Sequence, residues 1–305
     1  MKQRTVKKEF ELVGTGLHSG GKVSVRVLPA QANTGVVFVR TDLGADRIVP
    51  AHYQNIVNTR LATTLAYKGV AVSTVEHLLA ALRGWEVDNA RVEVGGPELP
   101  IMDGSALDFS KSIQAVGVRE QNEVRPYIKI KKKIDIELED GRWAVVEPSK
   151  NFLIDASFDW QHPMMQEQNF KYTQELGAFD EISDARTFCM AKDIEMMKRL
   201  GLAKGGSLDN AIVLTEDGIA NGCGLREPSE FGRHKVLDTI GDLRLAGLNV
   251  VGKFTVHKTG HSFNQFILKR LFEDLGNIEI VDGPNADDPA KRLYNYLQNI
   301  RVAAG

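Results

Sequence analysis

The stretch that most constrains this chain runs from Phe231 to Asn249, FGRHKVLDTIGDLRLAGLN. At about 100° per residue, Val236, Leu237, Ile240, Leu243 and Gly247 fall on one side, and His234, Asp238 and Asp242 fall together on the other. The pattern predicts a helix with one face in a core. On the opposite face a His and two carboxylates at i, i+4 and i+8 stand on successive turns, where side chains four apart are neighbours. That is good geometry for a metal. The same spacing also describes a solvated polar face, and this stretch by itself does not choose.

A chain of 305 residues exceeds what one hydrophobic core usually supports, so two units of about 100–170 residues are expected. With 38 basic and 40 acidic side chains, a net charge of −2 gives no overall field for nucleic acid or an anionic membrane. The N-terminal MKQRTVKKEFELVG lacks the apolar run of a signal peptide. No segment approaches the ~18 apolar residues of a membrane span, so no stable membrane insertion and a cytoplasmic location are expected. Cys189 and Cys223 have no second thiol close by and no C-x-x-C spacing, which argues against a disulfide framework or a Cys-type zinc site. Both read as buried or incidental thiols.

Strand patterns dominate the first fifty residues: Lys22 to Leu28 alternates with period two, and Gly35 to Arg40 is rich in Val and Phe. Before them LVGTGLHSGG reads first as a tight turn; its G-x-G-x-x-x-G-G spacing fits neither a dinucleotide nor a P-loop fingerprint. Ser73 then opens STVEHLLAALRGW, with Ser73 as N-cap and Glu76 at the third position of a capping box. An apolar stripe of Val75, Leu78, Leu79 and Leu82 follows, with Gly84 as the stop. Val118 to Tyr127 (VREQNEVRPY) shows no periodic apolar pattern and reads as the domain boundary. The basic run Lys129 to Lys133 reads as the wet face of a strand. Ile182 to Leu200 reads as a helix, Ile212 to Leu214 and Val250 to Val256 as strands, and His261 or Asn264 to about Leu275 as the last helix.

Glu76 and His77 lie in a first helical turn, pointing away from its apolar stripe. A His there is disfavoured as a cation and stays neutral, as a metal ligand must be. Capping alone also explains Glu76. With His234 and Asp238, His77 completes a two-His, one-carboxylate set that leaves a coordination position open, the arrangement of catalytic zinc. Spacing alone does not bring residue 77 beside residue 234.

Five ordered motifs do so by resemblance. The strings STVEHL at Ser73 to Leu78, PIMDGSA at Pro100 to Ala106, ARTF at Ala185 to Phe188, RHKxxDxxGD at Arg233 to Asp242 and KxGH at Lys258 to His261 resemble the UDP-3-O-acyl-N-acetylglucosamine deacetylases. Those are zinc amidases of lipid A biosynthesis. The resemblance implies an α+β fold of two similar two-layer sandwich domains, residues 1–122 and 123–305, each a sheet packed with helices, with the active site in the cleft between them. It implies His77, His234 and Asp238 as zinc ligands, Glu76 as general base, His261 as the second catalytic group, Asp242 as its partner and Thr187 as a hydroxyl aiding the tetrahedral intermediate.

For the substrate, the resemblance implies a UDP-sugar with a 3-O-acyl chain. Lys235 and Lys258 are expected to face the nucleotide, and Trp160 to stack on uracil or to pack in a strand. Phe188 belongs to the same motif set, and Leu208 lies in an acyl-passage insert near 194–213. Zinc is the expected cofactor, with Fe2+ acceptable to the same ligands. A monomer acting on a small molecule is expected. Relatives often have an apolar residue at the entrance where this chain has Arg60. His257, His52 and His162 read as structural or neighbouring groups, and His18 lies in a family motif without a derivable role. The alternatives are a deacetylase of another acylated sugar nucleotide, separable by turnover of acylated against unacylated substrate, and a non-catalytic sugar-nucleotide binding protein, which would need the catalytic set disrupted.

Overall fold

Both halves of the chain are built from the same run of elements, each carried by period-two apolar alternation that ends in a buried helix. The computed structural model describes residues 1–165, 167–175 and 177–281, so the last part of the expected second domain lies outside the described residues. The first half contains β1 (Lys2–Val6), β2 (Phe10–Thr15), β3 (Lys22–Pro29), β4 (Val36–Arg40), β5 (Ile48–Pro50), β6 (Ile56–Asn58), β7 (Thr64–Tyr67) and β8 (Val70–Val72). These are followed by α1 (Glu76–Gly84), β9 (Ala90–Val94), α2 (Leu107–Val116) and β10 (Val118–Val124). The second half contains β11 (Tyr127–Ile130), β12 (Ile134–Glu137), β13 (Trp143–Glu147), β14 (Phe152–Asp159) and β15 (Glu167–Thr173). Then come α3 (Asp180–Ser183), β16 (Phe188–Met190), α4 (Ala191–Arg199), β17 (Ile212–Leu214), α5 (Glu230–Leu243), β18 (Asn249–His257), α6 (His261–Glu273) and β19 (Ile278–Val281).

The strand order in the first half is β2-β3-β9-β4-β5, with only β9 and β4 parallel. In the second, β12-β13-β18-β14-β15 repeats it, again with one parallel pair, β18 and β14. β11 and β19 extend that sheet alongside the first residues of β18. In each half a buried helix precedes the central strand and a second helix follows it, so α1 and α5 are equivalent, as are α2 and α6. This is an α+β fold of two similar sheet-and-helix layers. Alternate residues of β3 (Val23, Val25, Val27) and β14 (Phe152, Ile154, Ala156, Phe158) point into the core, as the pleat requires.

The two equivalent helices pack on each other, and the reason is a glycine. A methyl built on Gly241 of α5 would stand 2.8 Å from the carbonyl carbon of Glu76 and 3.1 Å from its Cα. Glycine lets the backbones approach closely enough to bring the first turn of α1 against the middle of α5. Each half also inserts an excursion between its fifth strand and its buried helix: β6 to β8 in the first half, α3 to β17 in the second. Among the described residues no helix is long and apolar enough to cross a membrane.

The structure changes several readings. Helix α5 is buried on nearly every side, so its polar row faces another helix and not water. The capping box does not form: α1 begins at Glu76 itself, Ser73 pairs with Thr64, and the Glu76 carboxylate accepts the Thr63 N–H. Gly84 is the last residue of α1, and it is a glycine because the Phe179 side chain fills the space a Cβ would need. Val118 to Val124 is a strand, hydrogen-bonded to β1; its exposed side chains erased the apolar signal. The expected helix from Ile182 to Leu200 is cut by β16, whose backbone is drawn alongside β17. Cys223 is exposed and Cys189 half-buried. The basic run alternates as expected, with Ile128 and Ile130 buried and Lys129 exposed.

Candidate active site

The site grows from the α1–α5 contact. Glu76 and His77 open α1, and His234 and Asp238 lie one turn apart on α5, all four buried. The two His Nε2 atoms each stand 3.5 Å from Asp238 Oδ1, and the imidazole rings meet nearly edge to face at 5.1 Å. One ligand atom from each of the three residues lies within 4.8 Å of the others, a spacing able to hold a metal ion. Asp238 Oδ1 is buried yet makes no hydrogen bond. A buried carboxylate oxygen left without a donor is costly, and a divalent cation facing two imidazole nitrogens removes that cost, so the donor set fits a metal.

Local hydrogen bonds prepare the ligands. His234 Nδ1–H donates to the Ala185 carbonyl at 2.9 Å, which leaves Nε2 as the lone-pair atom aimed at Asp238. Burial drives the His234 pKa down to about 3, so the ring is neutral at pH 7. For Asp238 burial works against ionisation, but the charges of Lys235 and His261 overcome it and hold the carboxyl well below the usual range. Both ligands are thus in the form a cation accepts.

Beside them lies a second group, centred on the largely buried His261. His261 Nδ1 bonds Asp242 Oδ2 at 2.8 Å, and its Nε2 faces Glu76 Oε1 at 3.8 Å and Asp238 Oδ2 at 3.9 Å. Burial alone would lower the His261 pKa, yet Asp242, Asp238 and Glu76 raise it to about 10, so it is an imidazolium at neutral pH. Glu76 moves upward from the ordinary carboxyl value, because desolvation outweighs the pull of His261 and His77. A carboxylate with raised proton affinity opposite a protonated imidazole is an acid–base pair.

Thr187 of the ARTF segment is pinned through its backbone: its N–H donates to Gly104 and its carbonyl accepts from Ile212. Arg186 makes a buried two-pronged ion pair with Glu230, the first residue of α5, which ties that segment to the ligand helix. Thr187 and Phe188 line a largely apolar cavity of about 290 Å3 together with Ile194, Met197, Leu208 and Val213. Leu17, His18 and Leu61 close it from the first half. The N–H groups of His18 and Ser19 are spent on the Glu98 carboxylate, so the glycine-rich turn offers no phosphate cradle. His18 faces the cavity.

The remaining predicted residues fall nearby with other partners. Lys235 donates to Asp238 Oδ2 at 3.0 Å and lies over the Phe188 ring. Lys258 pairs with Asp159 at 2.6 Å. Trp160 stacks on Phe158 and meets Phe188 and Phe231 edge-on, in an aromatic cluster. Arg60 is exposed beside the cavity-lining Leu61. His52 and His162 serve turns, and His257 bonds Ser157. Sequence reasoning missed Thr63 and Asn264, both buried and both hydrogen-bonded to Asp242. Asn264 stands one turn after His261 on α6, a signal that was available; nothing in the sequence marks Thr63.

Comparison with known proteins gives a consistent picture. The family model described as UDP-3-O-acyl N-acetylglycosamine deacetylase matches residues 3–273. A UDP-3-O-acyl-N-acetylglucosamine deacetylase of Myxococcus xanthus is 47% identical over 282 residues, 92% of this chain and 89% of the relative. One from Anaeromyxobacter sp. is 46% identical over 293 residues, 95% of each chain. One from Pasteurella multocida is 44% identical over 301 residues, 97% of each.

Proposed function

The chain belongs to the UDP-3-O-acyl N-acetylglycosamine deacetylase family, and on that premise we propose that it hydrolyses the N-acetyl amide of UDP-3-O-acyl-N-acetylglucosamine with a metal held by His77, His234 and Asp238. The products are acetate and the free amine, at the committed step of lipid A biosynthesis. The observation that carries the metal reading is the buried, donorless Asp238 Oδ1 facing two imidazole nitrogens. Zinc is the proposed ion. Bound there, it supplies a Lewis acid that polarises a carbonyl and acidifies water.

The protein's own groups do the rest. Glu76, its Oε1 turned toward the site, takes the proton from the attacking water. Carbon–oxygen bond formation sends the carbonyl electrons to oxygen, and the Thr187 hydroxyl offers that oxygen a donor. His261, charged through its bond to Asp242, gives a proton to the departing nitrogen as the C–N bond breaks. Because Glu76 Oε1 and His261 Nε2 are 3.8 Å apart, one bound amide lies within reach of both. The apolar cavity beyond Thr187 suits the 3-O-acyl chain, with Leu208 and Phe188 on its wall. Lys235, Lys258 and Trp160 are assigned to the nucleotide side, where moving Lys235 from Asp238 and Lys258 from Asp159 would free two point charges for a diphosphate. The same reading makes the protein a cytoplasmic monomer divided near residues 122 and 123.

The test is acetate release from acylated and unacylated UDP-N-acetylglucosamine, with metal content measured on the same sample. Turnover confined to the acylated substrate supports the reading; equal turnover of both refutes the acyl assignment. Glu76→Ala should keep its metal and lose about 10²–10⁴-fold in kcat, and near-parental activity would remove Glu76 as base.

A further inference from the structure

Thr63 belongs neither to the metal set nor to the acid–base pair, yet it touches Glu76 of that pair and Asp242, the carboxylate that bonds its other member, His261. Its backbone N–H donates to Glu76 Oε2 at 3.0 Å, and its hydroxyl donates to Asp242 Oδ1 at 2.6 Å. We infer that Thr63 is a positioning residue that fixes the Glu76 carboxylate and the Asp242–His261 pair relative to one another; this rests on the deacetylase reading above.

The geometry assigns each carboxylate oxygen a separate task. With Oε2 held by Thr63, Glu76 turns Oε1 toward His261 Nε2. With Oδ1 held by Thr63, Asp242 keeps Oδ2 for the His261 ring, and Asn264 Nδ2 donates to the same Oδ2 at 2.8 Å. A hydrogen bond to one oxygen restrains a carboxylate's rotation about its last bond, so one threonine restrains two such rotations. The two donors leave one residue only three bonds apart, at N and at Oγ1 through Cα and Cβ, which makes the spacing between the Glu76 and Asp242 carboxylates a property of the covalent chain.

Thr63 is itself well held. It is buried, its carbonyl accepts the Val75 N–H, and it closes the turn of Leu61, whose φ is 62°, before β7 begins. Asn264 is anchored in turn by the Thr259 hydroxyl, which also meets Thr239 on α5. The Thr63 hydroxyl therefore closes a buried chain of hydrogen bonds from the first-half excursion, through Asp242 and Asn264, back to the ligand helix. Thr63→Val keeps the shape and the backbone N–H but leaves Asp242 Oδ1 without its donor; Thr63→Ser keeps the donor.

The experiment compares both variants with the parent as metal-loaded enzymes on the acylated substrate, reading kcat, KM, metal content and melting temperature. In metal-free protein it also follows the downfield proton resonance of His261 Nδ1–H. Thr63→Val should keep its metal and a KM within about threefold while kcat falls about ten- to a hundredfold, with the His261 resonance displaced. Thr63→Ser should restore both. A Thr63→Val enzyme with kcat within about threefold of the parent and an unmoved resonance overturns the inference. So does loss of metal and melting temperature that serine fails to rescue, which marks a merely structural role. A parent that releases no acetate sinks the deacetylase reading instead, and the resonance then still decides whether Thr63 governs the Asp242–His261 pair.

Discussion

Replacing Gly241 by alanine should separate metal binding from stability. The new methyl would lie 2.8 Å from the Glu76 carbonyl carbon and 3.1 Å from its Cα, whereas carbon atoms in contact settle at about 3.5–4.0 Å. Both neighbours are backbone, so no side chain can rotate aside, and α1 and α5 must separate by at least about 0.7 Å. Metal ligands tolerate about 0.2 Å, and the pair His77 and His234 is split across these two helices. Overpacking costs about 1–3 kcal/mol, but alanine is better than glycine inside a helix by about 1 kcal/mol, so the net stability loss of the metal-free protein should be about 0–2 kcal/mol. Metal affinity should fall about a hundredfold or more. Urea unfolding of the metal-free protein gives the first quantity and competition with a chromophoric chelator the second. Gly222→Ala, whose methyl meets nothing within 4 Å, is the control and should move neither. A Gly241→Ala protein that binds metal as tightly as the parent would refute the claim that this backbone contact sets the ligand spacing.

Removal of the His261 ring should leave metal binding intact and lower turnover by about 10²–10⁴-fold; loss of the metal from His261→Ala, measured by elemental analysis, would show the ligand set is wrong. The raised pKa of His261, about 10 against an ordinary 6.5, also fixes a sign. Its stabilising charge is fully present below about pH 6.5 and is lost as pH climbs through 10, so the metal-free parent should melt at progressively lower temperature across that window. His261→Gln should flatten the decline, and an unchanged slope would argue against the Asp242–His261 pairing. Glu230→Gln leaves the buried Arg186 with a weakened partner and should cost about 3–5 kcal/mol; a loss under about 1 kcal/mol in chemical denaturation would show that the pair does not hold the Thr187 segment to α5.

What the sequence disclosed followed from what each residue's neighbours in the chain could reveal. The row His234, Asp238, Asp242 was legible because ligands one turn apart leave a local period. Its burial was not, since charged side chains on a helix read as a wet face until their partners on α1 and α6 are known. Thr63 was invisible for a related reason: its two acceptors lie 13 and 179 residues away, and threonine before a strand is unremarkable. The repeat of β2-β3-β9-β4-β5 in the second half was hidden because a fold needs only alternation and turns to be kept. The break at Phe188 escaped because Met190, Ile194 and Met197 keep helical spacing even though strand pairing with Leu214 claims the first of them.

The equivalence of α1 and α5 also bears on the order in which the chain can assemble. His77 and His234 belong to different halves, and their segments meet only across the seam where those halves join. Each half can complete its own five-strand sheet from its own sequence, but neither half then owns more than two of the three proposed metal donors. Tight capture of the ion therefore follows docking and cannot guide it; contacts of such long sequence separation form slowly. In refolding, metal binding should report the last event, after the secondary structure of both sheets is already present. On the proposed ligand set the ion would act as a latch on a finished seam, and a cell short of metal would accumulate a folded protein with an inactive seam and not an unfolded chain.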